Sequence, residues 1–411
     1  MPFEQQISTS NSFKKLTDRD KRFCRLIITE VIRHHGQIDL ILKKCLSQGI
    51  PKSHINFLNI LRIGVAELLF IKSTKYAAVN DAVELVKNKV SSSKSGVTNA
   101  VLRRIDKDSE ILLKQFDISS NFPKWLLDIW RKDWGELNLE SILYFLMKEA
   151  PLDISVAGDP LKMANILQAK HLQFKTVRKD SAGDPSLLPH YFPDKPQNSW
   201  WIQDAAAAIP AELITKKSSQ KIVDVCAAPG GKSFQLAANG MDVISIDINS
   251  KRMKVLESGL ERTGLTVKTI IEDALTWIPK TKVDAVLIDA PCTATGTIRR
   301  HPDILINRSE EMISDYQNIQ KKLLSHTFTW IKSNGIMIYS VCSLQKQEGE
   351  DQILELVQNN KNLEIYPILP EEVNLFKMSI CKKGWLRIFP NCLEKQGGND
   401  GFFICRLKRV N

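Results

Sequence analysis

The sequence predicts a multi-domain chain: an all-α bundle at the N-terminus, a small α+β linker module, and an α/β domain running to the end. Apolar residues recur at helical spacing from about residue 17 to 132, and prolines crowd the stretch from 134 to 199. From about Trp200 short apolar runs alternate with amphipathic ones. At 411 residues the chain is too long for one ordinary core, and these changes of texture set domain bounds at 1–133, 134–198 and 199–411.

In the first part, DKRFCRLIITEVIRHH carries Phe23, Leu26, Ile27 and Val31 at helical spacing, with Asp18 placed to cap it. HINFLNILRIGVAELLF and VNDAVELVKNKV show similar faces, and SSSKSG breaks the pattern before TNAVLRRI. The longest apolar stretch, 57–71, holds Asn59, Arg62 and Glu67, which makes it a core helix rather than a membrane span. In the middle part Pro151, Pro160, Pro185, Pro189, Pro193 and Pro196 exclude long helices, leaving LDISVA and one helix in DPLKMANILQAKHL.

The last part alternates. KIVDV, DVISID, VKTIIED, VDAVLIDA and GIMIYS read as strands, with helices in KSFQLAANG, around 251–263 and over 309–332. That order implies a parallel, doubly wound sheet with ligands at the carboxyl ends of its strands, and FFICRLKR adds a late strand.

The net charge of +11 is uneven: the first 150 residues hold 24 Lys and Arg against 17 Asp and Glu, the rest 33 against 29. Such an excess suits a polyanionic partner such as nucleic acid. The eight cysteines show no CxxC pair, so neither a disulfide framework nor a metal site is expected. The polar start lacks the apolar core of a secretory signal, and a cytoplasmic location fits.

The chemistry gathers at strand ends. In VDVCAAPGGKS the small residues Cys226, Ala227, Ala228, Pro229, Gly230 and Gly231 let a ligand approach backbone amides and a helix N-terminus. GGKS suggests a P-loop, but that motif requires Gly where this chain has Cys226. Asp247, ending DVISID, stands where a carboxylate accepts from both ribose hydroxyls, and Asp273, ending VKTIIED, can receive an adenine amino group. Together they sketch an adenosine pocket without choosing between a dinucleotide and S-adenosylmethionine. Asp289, Pro291 and Cys292 follow the next strand, with Arg299, Arg300 and His301 beyond, able to hold phosphates; Cys342 follows the strand after that. A lone Cys is most often a small buried apolar residue. Two at adjacent strand ends, beside an Asp and a cofactor turn, suggest chemistry.

DVCAAPGGK, DAPCTATGTIRRHPDI, YSVCS and DGFFICRL resemble the bacterial ribosomal RNA cytosine-5 methyltransferases of the RsmB type (Sun or Fmu), within the NOL1/NOP2/Sun family. AVNDAVELVK and GVTNAVLRRI resemble the antitermination factor NusB. The resemblance covers nearly the whole chain. It implies a NusB-like RNA-binding bundle and a Rossmann-like catalytic domain that uses S-adenosyl-L-methionine. It implies action on cytosine 967 of 16S ribosomal RNA, naked or in an early assembly intermediate, with a cytosine-5 methyltransferase acting on another RNA as the alternative. A monomer is expected, though the resemblance does not fix the oligomeric state. By the same resemblance Cys342 is the nucleophile, Cys292 assists release, Asp289 holds the cytosine ring, and Lys232 lowers a thiol pKa or steadies Asp289. Two departures stand out: Val341 where the family has Thr, and Ala207 and Ala208 where a Gln is common. The competing readings are a nucleotide-binding ATPase, a non-catalytic RNA-binding factor, and a DNA-type cytosine methyltransferase in which Cys292 attacks.

Overall fold

The computed structural model describes residues 3–46, 54–167, 169–179, 200–214 and 220–410; Pro185, Pro189, Pro193 and Pro196 lie outside them. The chain forms two compact units, Met1–Arg131 with His301–Arg308, and Lys132–Arg300 with Ser309–Asn411.

The first unit is helical. Helices Asp18–Arg33, His35–Cys45, Ile55–Ala66, Lys75–Lys89 and Ser95–Lys107 enclose a core that includes Ile38, Leu42, Leu61, Val86 and Leu102. The first of these is capped by Thr17 rather than Asp18: the Thr17 hydroxyl accepts from the Asp20 amide, the usual N-cap bond. Its expected apolar face is only partly used. Phe23 and Leu26 stay exposed, because periodicity reports a helix's amphipathy and not what packs on it. The stretch 57–71 lies mostly within a core helix, and no helix among the described residues is long and apolar enough to cross a membrane.

The second unit begins with a helix, Glu136–Met147, where no long one was expected; the prolines start only at Pro151. A small sheet follows, built from β1 (Leu152–Val156), β2 (Lys170–Gln173), β3 (Thr176–Lys179) and β4 (Trp200–Ile202) in the order β2-β3-β1-β4, all antiparallel. Helix Pro160–Leu167 covers it through Met163, Ala164 and Leu167. Asp153 on β1 holds Arg178 on β3 through two bonds of 2.6 Å, both side chains buried.

The larger sheet holds β5 (Lys221–Val225), β6 (Asp242–Ile246), β7 (Lys268–Ile270), β8 (Val283–Asp289), β9 (Ile331–Val341), β10 (Leu363–Ile365), β11 (Leu386–Ile388) and β12 (Phe402–Arg409). Its order is β10-β12-β9-β8-β5-β6-β7, with β11 also on β12. The chain steps from β5 out to β7, then returns to β8 on the other side of β5. The topological switch point thus falls between β5 and β8, where such sheets open a crevice. β5 to β9 are parallel as expected, but β12 pairs antiparallel with β9, so the sheet is mixed. Asn334-Gly335, a strong turn signal, is absorbed inside β9: Asn334 takes a left-handed φ of 61° where the register to β8 shifts.

Candidate active site

The loop after β5 is fastened to the end of β6. The Ala227 amide donates to the Ile246 carbonyl at 3.0 Å, and the Ala228 amide to Asp247 Oδ2 at 3.1 Å. Asp247 is buried; its Oδ1 accepts from the Asn249 amide at 2.9 Å, and Arg252 stands 3.6 Å from Oδ2. Gly230 has a φ of 112°, and a Cβ there would lie 2.7 Å from the Phe234 ring, so the position admits only glycine. Gly231 opens helix Gly231–Ala238. Burial pushes the Cys226 thiol up to about 12, and neighbouring Asp247 and Asp289 add to the shift.

Asp224 on β5 lies beneath this loop, fully buried. Its Oδ2 accepts from the Ser233 hydroxyl at 2.6 Å, while Oδ1 accepts no hydrogen bond among the described residues. Burial pushes its carboxyl up to about 7.

β8 and β9 carry the other half. Asp289 pairs in register with Ser340, whose hydroxyl donates to Asp289 Oδ1 at 2.9 Å. Lys232 Nζ donates to Oδ2 at 2.7 Å and lies 5.5 Å from the centre of the Phe402 ring. Just past the strand ends, the Sγ atoms of Cys292 and Cys342 lie 3.6 Å apart. The contact with Cys342, together with burial, pushes the Cys292 thiol well above the ordinary range.

A cavity of about 260 Å³ joins these parts; Ala227, Ala228, Pro229, Gly231, Lys232, Asp289 and Cys342 line it, with Asp224 and Phe402. Cys226, Gly230, Asp247, Asp273 and Cys292 are not among its lining. Asp273 sits three residues beyond β7, half-buried, with Oδ1 accepting from the Leu275 amide at 2.9 Å.

The expectation that Arg299 and Arg300 hold phosphates is corrected by the structure. Arg299 is buried and donates to the carbonyls of Glu149 and Gly397. Arg300 donates to Asp204 at 2.8 Å and to Asp400 at 2.9 Å. One guanidinium serves two acids there: against burial, Arg300 and Arg178 hold the Asp204 carboxyl below its ordinary range, while burial and Asp204 leave Asp400 pushed up to about 7. Guanidiniums committed to internal acceptors leave little for an RNA backbone. His301 is exposed and opens the segment that belongs to the helical unit.

Sequence reasoning missed Asp204, Asp400 and Phe402 at the cavity; the only signal was their place inside or beside quoted motifs. It also missed a groove of about 280 Å³ in the helical unit, lined by Lys75, Tyr76, Asn80, Asn99 and Arg103. Arg103 Nε donates to Asn99 there at 2.9 Å, and Tyr76 is 79% exposed.

Residues 211–408 match the 16S rRNA methyltransferase RsmB/F family, and residues 3–107 match the NusB family. A protein named "Probable ribosomal RNA small subunit methyltransferase B" from Synechocystis sp. is 29% identical over 96% of this chain and 92% of its own. The "Ribosomal RNA small subunit methyltransferase B" of Shewanella oneidensis is 27% identical over 95% and 91%. The crystal structure of PH0851 superposes with a TM-score of 0.74 at 20% identity, covering 96% of this chain and 91% of that one, which shows a shared fold. The methyl donor of such enzymes is S-adenosylmethionine. The match to the 16S rRNA methyltransferase RsmB/F family thus spans residues 211–408, and the match to the NusB family lies ahead of it.

Proposed function

We propose that this methyltransferase acts on carbon 5 of a cytosine in 16S ribosomal RNA, cytosine 967 by the family resemblance, through a covalent adduct to Cys342. One observation carries the reading. Cys342 lines the same cavity as the loop after β5 and Asp289, while Cys292 touches it from behind, outside the lining. The DNA-type alternative makes the buried thiol the attacker, and burial raises a thiol's pKa against that role.

The cavity suits the donor. One oxygen of the buried Asp224 carboxyl has no hydrogen-bond partner among the described residues and could accept from a ligand in the cavity, and the small side chains of 227–231 leave backbone open to it. Residues 226–231 and Asp289 would hold S-adenosylmethionine, with Asp247 on the ribose and Asp273 on the adenine. Asp247 already anchors the loop, and each of its oxygens keeps a second lone pair for a hydroxyl. When bound, S-adenosylmethionine supplies the methyl group that carbon 5 of the ring takes.

The protein's part is to make that carbon a nucleophile. The Cys342 thiolate adds to carbon 6, and the electron pair moves to carbon 5. Asp289 holds the ring, as a carboxylate accepting from the amino group or as a carboxylic acid donating to the ring nitrogen where charge gathers, and Lys232 keeps the carboxyl in place. After methylation the carbon 5 proton leaves to water, its bonding pair re-forms the ring double bond, and the bond from carbon 6 to sulfur breaks with its pair returning to Cys342. Cys292, a thiol that its contact with Cys342 and burial hold protonated, stands within reach of the departing sulfur. Attack on the face of the ring needs an unstacked base, so the substrate is a loop or a flipped nucleotide. The helical residues 1–133, joined through 134–198 to the catalytic 199–411, add affinity for folded RNA, and the protein works in the cytoplasm on naked or early assembling RNA.

Incubating the protein with labelled S-adenosylmethionine and a 16S transcript, followed by bisulfite sequencing, tests this. One protected cytosine is expected. Label transferred to RNA with no protected cytosine sinks the carbon 5 assignment.

A further inference from the structure

Glu348 closes the short turn Lys346–Glu348, six residues past Cys342, and is fully buried. One carboxylate oxygen accepts from the Thr293 amide at 2.9 Å and the Gln320 side-chain amide at 3.2 Å. The other accepts from the hydroxyls of Thr293 and Ser343, the latter at 2.5 Å. Thr293 follows Cys292 in the chain and Ser343 follows Cys342, so one carboxylate grips the residue after each thiol. Glu348 is itself fixed, its backbone carbonyl accepting from the Tyr339 hydroxyl at 2.7 Å. Gln320 also donates to the Pro291 carbonyl at 2.9 Å, just ahead of Cys292.

We propose that Glu348 is a positioning residue for the two thiols, setting the separation of Cys292 and Cys342 by holding Thr293 and Ser343 on one carboxylate. The inference rests on the reading of those thiols as the attacking and releasing groups. A buried carboxylate is costly unless its lone pairs are filled, and here four donors fill them. A hydrophobic core position would stabilise the fold at lower cost; a carboxylate earns its place where two loops must be held in one register. Its charge also helps keep the Cys292 thiol protonated. No other residue type fits: the Gln amide would point a donor at a donor, and Asp is one methylene short.

The test uses Glu348→Gln in the full chain. Cross-linking of Cys292 to Cys342 by diamide, mapped by mass spectrometry, reads the sulfur separation whether or not the thiols catalyse; two thiols lose two electrons and two protons to the reagent. In a protein of parent melting temperature, cross-linking and kcat should each fall about tenfold or more, the scale of losing charge-assisted hydrogen bonds. The KM for S-adenosylmethionine should hold, and Glu348→Asp should recover part of kcat. A cross-linking rate within about twofold of the parent's overturns the proposal. If Glu348→Gln does not fold, Thr293→Val carries the same test, since it removes the hydroxyl link and keeps the amide. Full methyl transfer by Cys342→Ala would instead overturn the reading of the thiols on which the proposal rests.

Discussion

Lys232 Nζ lies 2.7 Å from Asp289 Oδ2, joining the first turn after β5 to the end of β8 across the switch point of the sheet. The lysine is nearly buried, while the aspartate keeps about a third of its side chain open on the cavity side. Lys232→Met should leave Asp289 without its charged donor and let it swing from the ring. The loss is that of one charge-assisted hydrogen bond, about 1.5–3 kcal/mol, or roughly ten- to a hundredfold in kcat. Single-turnover methylation with saturating RNA checks it; a parent rate in a folded Lys232→Met would remove Lys232 from the mechanism.

Asp224 gives stability a pH dependence of its own. The folded protein keeps its proton up to about pH 7, whereas the carboxyl ordinarily releases it near 3.8. The folded state therefore binds more protons across that window, and the group's contribution is full below it and lost as pH rises through it. Asp224→Asn keeps an oxygen for the Ser233 hydroxyl and cannot ionise. Its melting temperature should gain on the parent's between about pH 4 and about pH 7, and the difference should level off above that. A constant difference across that range would show that the carboxyl ionises as it does in the unfolded chain.

Much of the catalytic crevice was legible because strand order and motif place act together. Cys292 and Cys342 are fifty residues apart, yet both follow a short apolar run, and adjacent parallel strands bring such ends together. What stayed hidden depends on partners remote in sequence. Arg299 and Arg300 look like a phosphate grip beside a motif, but Asp204 and Asp400 lie 96 and 100 residues away from Arg300 and neutralise it internally. Glu348 shows nothing locally of its grip on Thr293, 55 residues earlier. Phe23 and Leu26 had the right periodicity and stayed exposed, since a pattern cannot say whether a partner covers it.

With Arg299 and Arg300 committed, RNA affinity must come from elsewhere, and the groove between helices Lys75–Lys89 and Ser95–Lys107 offers the needed groups. An exposed tyrosine ring can stack on an unpaired base, worth about 1–3 kcal/mol. Tyr76→Ala should weaken binding to 16S RNA about tenfold or more, with kcat at saturating RNA unchanged. Arg103→Ala should reduce the log–log salt slope by about 0.7 if it meets one single-strand phosphate. Filter binding over a salt series checks both. Unaltered affinity in both variants would favour a protein partner for the helical unit.

The two thiols should fail at different steps. Cys342→Ala removes the sulfur that lines the cavity, so it should bind RNA and S-adenosylmethionine yet give neither product nor covalent complex. Cys292→Ala leaves that sulfur in place but takes away the thiol 3.6 Å from it, to which the proposed mechanism assigns release. Attack and methylation can then proceed while release is slow, so a protein–RNA species should accumulate that survives denaturing electrophoresis and collapses to the protein band after ribonuclease. The DNA-type arrangement predicts the reverse, with the trapped species in Cys342→Ala. An attacking sulfur must reach carbon 6 of a base held in the cavity, and of the two only Cys342 lines it, which is the ground for expecting the first outcome. Both variants should be purified after expression with cellular RNA and compared on denaturing gels before and after ribonuclease. A trapped complex in Cys342→Ala alone would reverse the assignment of the nucleophile.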